Sequence, residues 1–352
     1  MADLAFVLPV RGGGGGAHSV VQEVGAMRAL GVDACIFVNE KNHVSFRRTY
    51  GRFDWLDKAC HVFAGPKDLG EKIGEFDAVV ATTNTSVHSV AEAMPGSKFR
   101  GRTAYYVQDY EPLFYDAGSE AWNVALASFG VLSPCIYFAK TSWLCEIVGT
   151  MHGLPVRQVV PSIDGTIYRP GGTRGSSRTL CGMVRPSTPR RAPHRTARIL
   201  TRLADKHGPD LKVVAFGAGA EELKAAGVDI GDSVMLMGEL SQSAVADLLR
   251  QADFFIDLSD YQAFGRTAAE AMACGALALA PKVGGGADFI AHGVSSFMAD
   301  TTDEGAILEA VEAMLSLSES ELRTMRLAAI EAVSPFTPVR AAISELRTLG
   351  FC

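Results

Sequence analysis

The chain has 352 residues, 48% of them hydrophobic and 20% charged, which suffices for sizeable cores and excludes wholesale disorder, a collagen-like chain or a coiled coil. That length exceeds what one hydrophobic core usually organises, so two domains are expected. Thirty-three Lys and Arg against 39 Asp and Glu give a formal charge of -6, a poor basis for general nucleic-acid binding, so an anionic ligand has to be held locally.

Short apolar runs rich in Val, Ile, Phe and Ala alternate with longer amphipathic segments, the pattern of βα units around a parallel sheet. In the first half, strands are expected at 4–8, 34–38, 61–63, 78–81, 104–107, 136–139 and 157–160, with helices between most of them. The best-marked helix is 17–30, where Val20, Val21, Val24, Met27 and Leu30 recur on one face. Between the first strand and this helix stands Arg11-Gly12-Gly13-Gly14-Gly15-Gly16-Ala17. Glycines there let backbone N–H groups approach a ligand, and the helix N-terminus favours an anion. Gly12, Gly14 and Ala17 also satisfy G-x-G-x-x-A, with Glu40 after the second strand, so a dinucleotide fingerprint stays open, as does a plain linker.

The stretch 161–189 is rich in Pro, Gly, Ser and Arg, including Gly171-Gly172 and Gly175-Ser176-Ser177, and reads as a linker around one short strand. The boundary falls near Pro170. The domains are accordingly placed at 1–168 and 169–334, with 335–352 a C-terminal helix returning to the N-terminal domain. In the second domain, strands are expected at 179–184, 212–216, 234–237, 254–258 and 276–280, with helices such as 195–206 and 243–251. The tail 304–350 is largely helical and changes direction at Pro335 and Pro338. The fold class is α/β, two doubly wound domains facing a cleft at the carboxyl ends of their strands.

Seven scattered cysteines (Cys35, Cys60, Cys135, Cys145, Cys181, Cys274, Cys352) form no CxxC pair and read as the reduced thiols of a cytoplasmic protein. The N-terminus does not read as a signal peptide, and no apolar run approaches the roughly 18 residues of a membrane span. His18, His88 and His194 lack metal-ligand spacing, so no metal site is expected.

Three segments carry candidate chemistry. Arg185-Pro186-Ser187-Thr188-Pro189-Arg190-Arg191 follows the first strand of the second domain. Its guanidinium groups match the oxygens of a diphosphate, and a solvated basic loop is the plainer reading. In Asp257-Leu258-Ser259-Asp260-Tyr261-Gln262-Ala263-Phe264-Gly265-Arg266-Thr267-Ala268-Ala269-Glu270, a buried strand turns into a small-residue helix with one carboxylate, Glu270, on an apolar face. A buried Glu needs a partner, and sugar hydroxyls serve; otherwise it is an exposed helix Glu. Gly284-Gly285-Gly286 forms a further glycine loop after the strand 276–280.

The run from Ser259 through Glu270-Ala271-Met272-Ala273-Cys274-Gly275 to Gly284-Gly285 and Asp288-Phe289-Ile290 resembles the signature of glycosyltransferase family 4, which has the GT-B fold. The N-terminal glycine loop, the Arg185 to Arg191 loop, Phe216-Gly217-Ala218-Gly219 and the helical tail agree in order and spacing, so the likeness covers most of the chain. Tyr106-Val107-Gln108-Asp109-Tyr110-Glu111-Pro112-Leu113-Phe114-Tyr115, continuing to Gly118-Ser119-Glu120, resembles the bacterial rhamnosyltransferases of that family, as does Val184 to Arg191.

The resemblance implies a retaining, metal-independent hexosyltransferase. It would need no cofactor beyond a dTDP-, UDP- or GDP-sugar as co-substrate, and would act on a glycan or lipid-linked acceptor in polysaccharide or cell-surface glycan synthesis, with rhamnose as the sugar if the subset holds. Residue by residue, Glu270 would hold the ribose hydroxyls. Arg185 and Arg190, with Arg191 as a substitute, would hold the diphosphate, and Gly13, Gly14 and Gly15 would approach it from the other side. Phe264, Gly265, Arg266 and Thr267 would line the sugar and phosphate pocket, with Gly217 nearby. The family's motif has two glutamates separated by seven residues, but its first position here is Gln262, which bonds a sugar hydroxyl without offering a charge. Asp260 would supply that charge, or the enzyme manages without it.

Gln108, Asp109 and Tyr110 stand where the family places a polar residue beside the reacting sugar. Asp109 then orients or deprotonates the acceptor hydroxyl, or simply caps a turn. Asp109-Tyr110-Glu111 also fits an acidic metal motif of the other large glycosyltransferase fold. Tyr110, Phe114, Tyr115 and Trp122 would floor the acceptor, or are core. Phe46 to Trp55 interleaves Arg47, Arg48 and Arg52 with aromatics; with a lipid-linked acceptor it is where the protein would touch the inner face of the membrane, and otherwise it is a solvated, half-packed segment. Two alternatives remain: an NAD(P)- or nucleotide-sugar-dependent oxidoreductase built on the glycine loop, and a catalytically weak sugar-nucleotide-binding protein. Neither involves nucleic acid.

Overall fold

The computed structural model describes residues 2–172, 174, 175 and 177–352; Ser176 of the expected linker lies outside them. The chain forms two compact units, Met1–Ser162 with Phe336–Cys352, and Ile163–Pro335.

The first unit is built on seven parallel strands, β1 (Asp3–Val7), β2 (Asp33–Asn39), β3 (Cys60–Phe63), β4 (Ala78–Ala81), β5 (Arg102–Val107), β6 (Ile136–Ala139) and β7 (Val156–Gln158), in the order β3-β2-β1-β4-β5-β6-β7. Leu4, Phe6, Ile36, Val80, Ala104, Tyr106 and Phe138 are buried together, which explains why these strands read as continuous apolar runs rather than alternating ones. The helix Gly15–Ala29 turns Val20, Val21, Val24 and Met27 into this core. It begins two residues earlier than the apolar spacing implies, taking Gly15 and Gly16 into its first turn. The rest of the glycine run is a fixed turn. Gly12 has φ +91°, and a Cβ there would stand 2.9 Å from the Tyr50 ring, so only glycine fits. The Gly13 N–H donates to Tyr50 Oη at 3.2 Å.

The basic-aromatic segment is resolved by its helical phase. Phe46 and Tyr50 face inward from the helix Glu40–Tyr50 and are buried, while Arg47 pairs with Asp57 and the Arg52 guanidinium lies over Phe53. The aromatic half is therefore core.

The C-terminal helix Pro338–Leu349 packs on Gly15–Ala29. Arg157 Nη1 donates to the Thr348 carbonyl at 2.9 Å and the Val160 N–H to Ser344 Oγ at 2.9 Å. Glu345, fully buried on this helix, lies among Glu23, Lys140 and Tyr106; burial, then the neighbouring Glu23 carboxylate, push its own carboxyl well above the usual range. Ser162 Oγ donates to Glu23 Oε1 at 2.6 Å. A neutral amide imitates a protonated acid, so Glu345→Gln is expected to unfold within about 1 kcal/mol of wild type at neutral pH. Glu345→Ala, which leaves a cavity beside a buried carboxylate, is expected to lose about 2–4 kcal/mol in urea unfolding. Equal losses would rule out the raised Glu345 carboxyl.

The second unit carries six parallel strands, β8 (Arg178–Met183), β9 (Leu211–Phe216), β10 (Met235–Leu236), β11 (Phe254–Ile256), β12 (Leu277–Pro281) and β13 (Phe297–Ala299), in the order β10-β9-β8-β11-β12-β13. The edge strand β13 is too short to show an apolar run and was not expected. Residues 163–168, expected in the first domain, belong here, and Tyr168 is buried. The tail contains a further break before Pro335: Glu304–Leu315 ends and Glu319–Val333 starts on a capping box in which Ser318 and Glu321 satisfy each other's backbone N–H groups. Among the described residues no helix is long and apolar enough to cross a membrane.

Candidate functional site

In the second unit the strand order reverses between β8 and β11, so the loops leaving their carboxyl ends diverge and open a crevice suited to a ligand. The β8 loop brings the arginines and the β11 loop brings residues 257–265. The Asp260 N–H donates to the Arg190 carbonyl at 2.9 Å, and Arg191 Nη1 stands 3.6 Å from the Asp257 carboxylate. The Arg190 guanidinium carbon lies 5.8 Å from the centre of the Tyr261 ring. Arg185 is exposed on the same loop, its Nε 3.4 Å from Met183 Sδ. Gly217, after β9, has its N–H on the Gly238 carbonyl, and a Cβ on it would lie 2.8 Å from the Val184 carbonyl.

Strand β11 ends at Ile256, two residues short of the expected boundary, so Asp257 opens the loop. Its buried carboxylate accepts from the Ser259 N–H at 3.1 Å, from Ser259 Oγ and from Gln262 Nε2. Gln262 Nε2 also donates to Ser259 Oγ at 3.0 Å. Asp260, the expected substitute charge, is held instead by Arg195 Nη2 at 2.6 Å and is half exposed. The carboxylate beside Gln262 is that of Asp257. On the backbone, the Gln262 N–H donates to the Val283 carbonyl and its carbonyl accepts from Gly285 N–H at 2.9 Å.

Gly265, with φ +84°, caps the helix Arg266–Ala273, whose first turn has no acidic residue and no side-chain cap, leaving backbone N–H groups for an anion. Phe264 is buried against Phe289, ring centres 5.5 Å apart, and Thr267 is half-buried. Arg266 Nη1 donates to Glu270 Oε1 at 3.2 Å. Glu270 is only 4% exposed, which excludes the exposed-helix reading. Burial, and secondarily Asp164, push its carboxyl up to about 7, with Arg266 and a Tyr168 hydrogen bond pulling the other way.

A folded-state pKa raised above the unfolded value stabilises the protein in acid and loses that contribution as pH rises. Wild type is therefore expected to lose roughly 3 kcal/mol between about pH 4.5 and 7 relative to Glu270→Gln, read as the difference between their unfolding free energies across that range. A pH-independent difference would refute the raised carboxyl.

In the first unit, Gln108 follows β5. Its Oε1 accepts from Lys140 Nζ at 2.9 Å, and a Cβ on Gly16 would meet its side chain at 3.3 Å. Asp109 Oδ1 accepts the N–H of Tyr110 at 2.9 Å, as a turn cap does. Tyr110 is core, its Oη 3.1 Å from His152 Nε2, so it leaves the proposed aromatic floor, while Phe114 and Tyr115 stay exposed at 40% and 38%. Glu111 is buried and accepts from Asn84 N–H at 3.1 Å and from the Asn84 amide; it is committed to that helix start rather than to an Asp109-Tyr110-Glu111 metal motif. Among the described residues, no three His, Cys, Asp or Glu gather as a metal site needs. Gly14 caps the first helix without a side-chain bond, and the Gly13 amide is taken by Tyr50.

Sequence reasoning left out Asp257, Arg195, Tyr168 and Lys140. Asp257 carried a signal, an acid closing an apolar strand. Tyr168 lies about a hundred residues from Glu270 with no spacing to connect them, and Lys140 reads as one more surface lysine although it is buried.

Residues 173–330 match the family model described as "Glycosyl transferases group 1". The chain is 27% identical over 251 residues to the O-antigen biosynthesis protein RfbC of Myxococcus xanthus, covering 71% of this chain and 19% of that protein. It is 30% identical over 206 residues to a D-inositol 3-phosphate glycosyltransferase of Mycobacterium sp. (strain KMS), 54% of this chain and 46% of that one. The chain thus spans about a fifth of the first relative and under half of the second. A crystal structure of Anabaena Alr3699/HepE in complex with UDP and glucose superposes with a TM-score of 0.78 at 16% identity, covering 100% of both chains, which extends the likeness of fold over the whole molecule. The chain has the GT-B fold, two Rossmann-like domains with a helical C-terminal segment, and carries a group 1 glycosyl transferase domain over residues 173–330.

Proposed function

We propose that the protein is a family 4 glycosyltransferase that moves a sugar from a nucleoside diphosphate sugar to a glycan or lipid-linked acceptor in cell-surface polysaccharide synthesis. The observation that carries this reading is the second sheet's switch point. There an arginine loop, an uncapped helix N-terminus and the buried Glu270 converge, complementing respectively a diphosphate, its anionic oxygens and a ribose diol. The relatives add support: one is named for O-antigen biosynthesis, another for glycosyl transfer to an inositol phosphate, and HepE is a protein solved with UDP and glucose.

The reaction we infer needs no metal and retains the anomeric configuration. Its difficulty is departure of the nucleoside diphosphate, whose growing charge is stabilised by fixed donors. Arg185, Arg190 and the N–H groups at Arg266 and Thr267 would serve as those donors. In the first domain, Asp109 would orient or deprotonate the acceptor hydroxyl, beside Gln108. Rhamnose as the sugar rests on the likeness of 106–120 and 184–191 to bacterial rhamnosyltransferases. With a lipid-linked acceptor, Arg47, Arg48 and Arg52 supply the positive charge for peripheral membrane contact; unchanged vesicle binding on neutralising all three would remove that part.

A thermal-shift panel of dTDP, UDP and GDP with their sugars, beside NAD and NADP, tests the reading. A nucleoside diphosphate and its sugar are expected to raise the melting temperature, and the nicotinamide nucleotides are not. Stabilisation by NAD or NADP alone would overturn the reading in favour of an oxidoreductase. Binding of the sugar nucleotide with no diphosphate released on adding acceptors would favour the catalytically weak alternative, which Gln262 motivates.

A further inference from the structure

We propose that Asp257 is a positioning residue that fixes the Gln262 amide so that its carbonyl oxygen, and no charge, meets a hydroxyl of the donor's glycosyl group; this rests on the transferase reading. An ionised carboxylate only accepts hydrogen bonds, so the group facing Asp257 Oδ2 is the Gln262 Nε2 amide. The second hydrogen of that amide goes to Ser259 Oγ at 3.0 Å, while Ser259 Oγ donates to Asp257 Oδ1. Both amide hydrogens are thus committed and the ring Asp257-Ser259-Gln262 closes on itself. Oε1 is left as the outward group, and among the described residues nothing donates to it.

Such a surface selects its ligand by elementary electrostatics. A lone carbonyl oxygen attracts a hydroxyl hydrogen and repels a phosphate oxygen, so position 262 reads the sugar rather than the diphosphate. The arrangement also explains the amide at this position. A glutamate there would press a carboxylate against Asp257, and among the described residues Arg191 at 3.6 Å is the cation paired with that buried acid. The carboxylate against the amide is therefore that of Asp257, where it holds Gln262 and Arg191 together.

The test compares wild type with Asp257→Asn, Gln262→Glu and the double variant, titrating each with the bare nucleoside diphosphate and with the intact sugar nucleotide by calorimetry. Asp257→Asn lets the amide rotate, and Gln262→Glu sets two carboxylates in contact. Each is expected to weaken the sugar nucleotide tenfold or more; Gln262→Glu leaves the bare diphosphate within about twofold of wild type, and Asp257→Asn, which also loses its bridge to Arg191, weakens the bare diphosphate several-fold less than the sugar nucleotide. The double variant, which again pairs one amide with one carboxylate, is expected to recover to within about threefold. A merely structural role would move both ligands together and would not be rescued. Unchanged sugar-nucleotide binding in Asp257→Asn, or a double variant no better than the singles, overturns the inference and leaves the transferase reading standing. Failure of wild type to bind any nucleoside diphosphate overturns both.

Independently of ligand, Gln262→Glu alone is expected to lose melting temperature as pH rises through the carboxylate range. The same pH profile in the double variant would contradict the assigned amide orientation.

Discussion

Replacing Arg190 by alanine is expected to slow sugar transfer by about 100-fold or more, chiefly in kcat, and replacing Arg185 is expected to do the same. Removing one preorganised donor to a developing negative charge typically costs about 2.7–4 kcal/mol of barrier. The two arginines reach that task differently. Arg190 is placed by its carbonyl, which accepts from the Asp260 N–H, and by the Tyr261 ring beneath its guanidinium, so its entropy cost is met before the ligand arrives. Arg185 stands exposed at the head of the loop and has to be ordered by the ligand, so its loss should also raise KM. Arg190→Lys is expected to recover activity only in part, because an ammonium lacks the two-point fork that matches a diphosphate. Steady-state kinetics of nucleoside diphosphate release read all three, and near-normal turnover in both alanine variants would remove the arginine loop from the chemistry.

A single methyl group at Gly284 is expected to be the most damaging small change in the second domain. The Cβ would fall 1.9 Å from the Gln262 carbonyl oxygen, and the backbone there has φ +117°, a region that side chains avoid. The contact cannot be relieved by a rotamer change, since both sides are backbone. The β12 loop has to separate from residue 262, breaking the bond from Gly285 N–H to the Gln262 carbonyl. Gly284→Ala is therefore expected to lose at least about 3 kcal/mol in urea unfolding and to lose sugar-nucleotide binding even below its melting temperature. Stability within about 1 kcal/mol of wild type would mean the two loops are not locked at this point.

These two sites show how much of the molecule its sequence makes legible. The strands are readable because helices cover the sheets: Leu4, Phe6, Val80 and Phe138 are buried, and runs buried on both faces stand out as unbroken apolar blocks. The arginine loop, Gly265 and Glu270 are readable because each belongs to one loop or one helix turn. What stays hidden is pairing across the fold. Nothing local tells that Asp257, rather than Asp260, stands against Gln262, because the choice depends on Arg195 reaching over from another helix to take Asp260. Tyr50, thirty-seven residues from Gly13, turns the glycine run into a fixed corner, so that composition alone suggests flexibility where the chain is held. The same applies to Tyr110, whose aromatic character suggests a binding surface until His152 and the core enclose it.

The site proposed for the nucleoside diphosphate sugar is the second sheet's switch point. A crystal of the full chain soaked with the nucleotide that gives the largest thermal shift tests it most directly. Ribose hydroxyls are expected within hydrogen-bond distance of Glu270, with the diphosphate between the Arg185 to Arg191 loop and the backbone N–H groups at Arg266 and Thr267. Nucleotide density at the Gly12 to Gly16 loop alone, with the crevice between β8 and β11 empty, would contradict it.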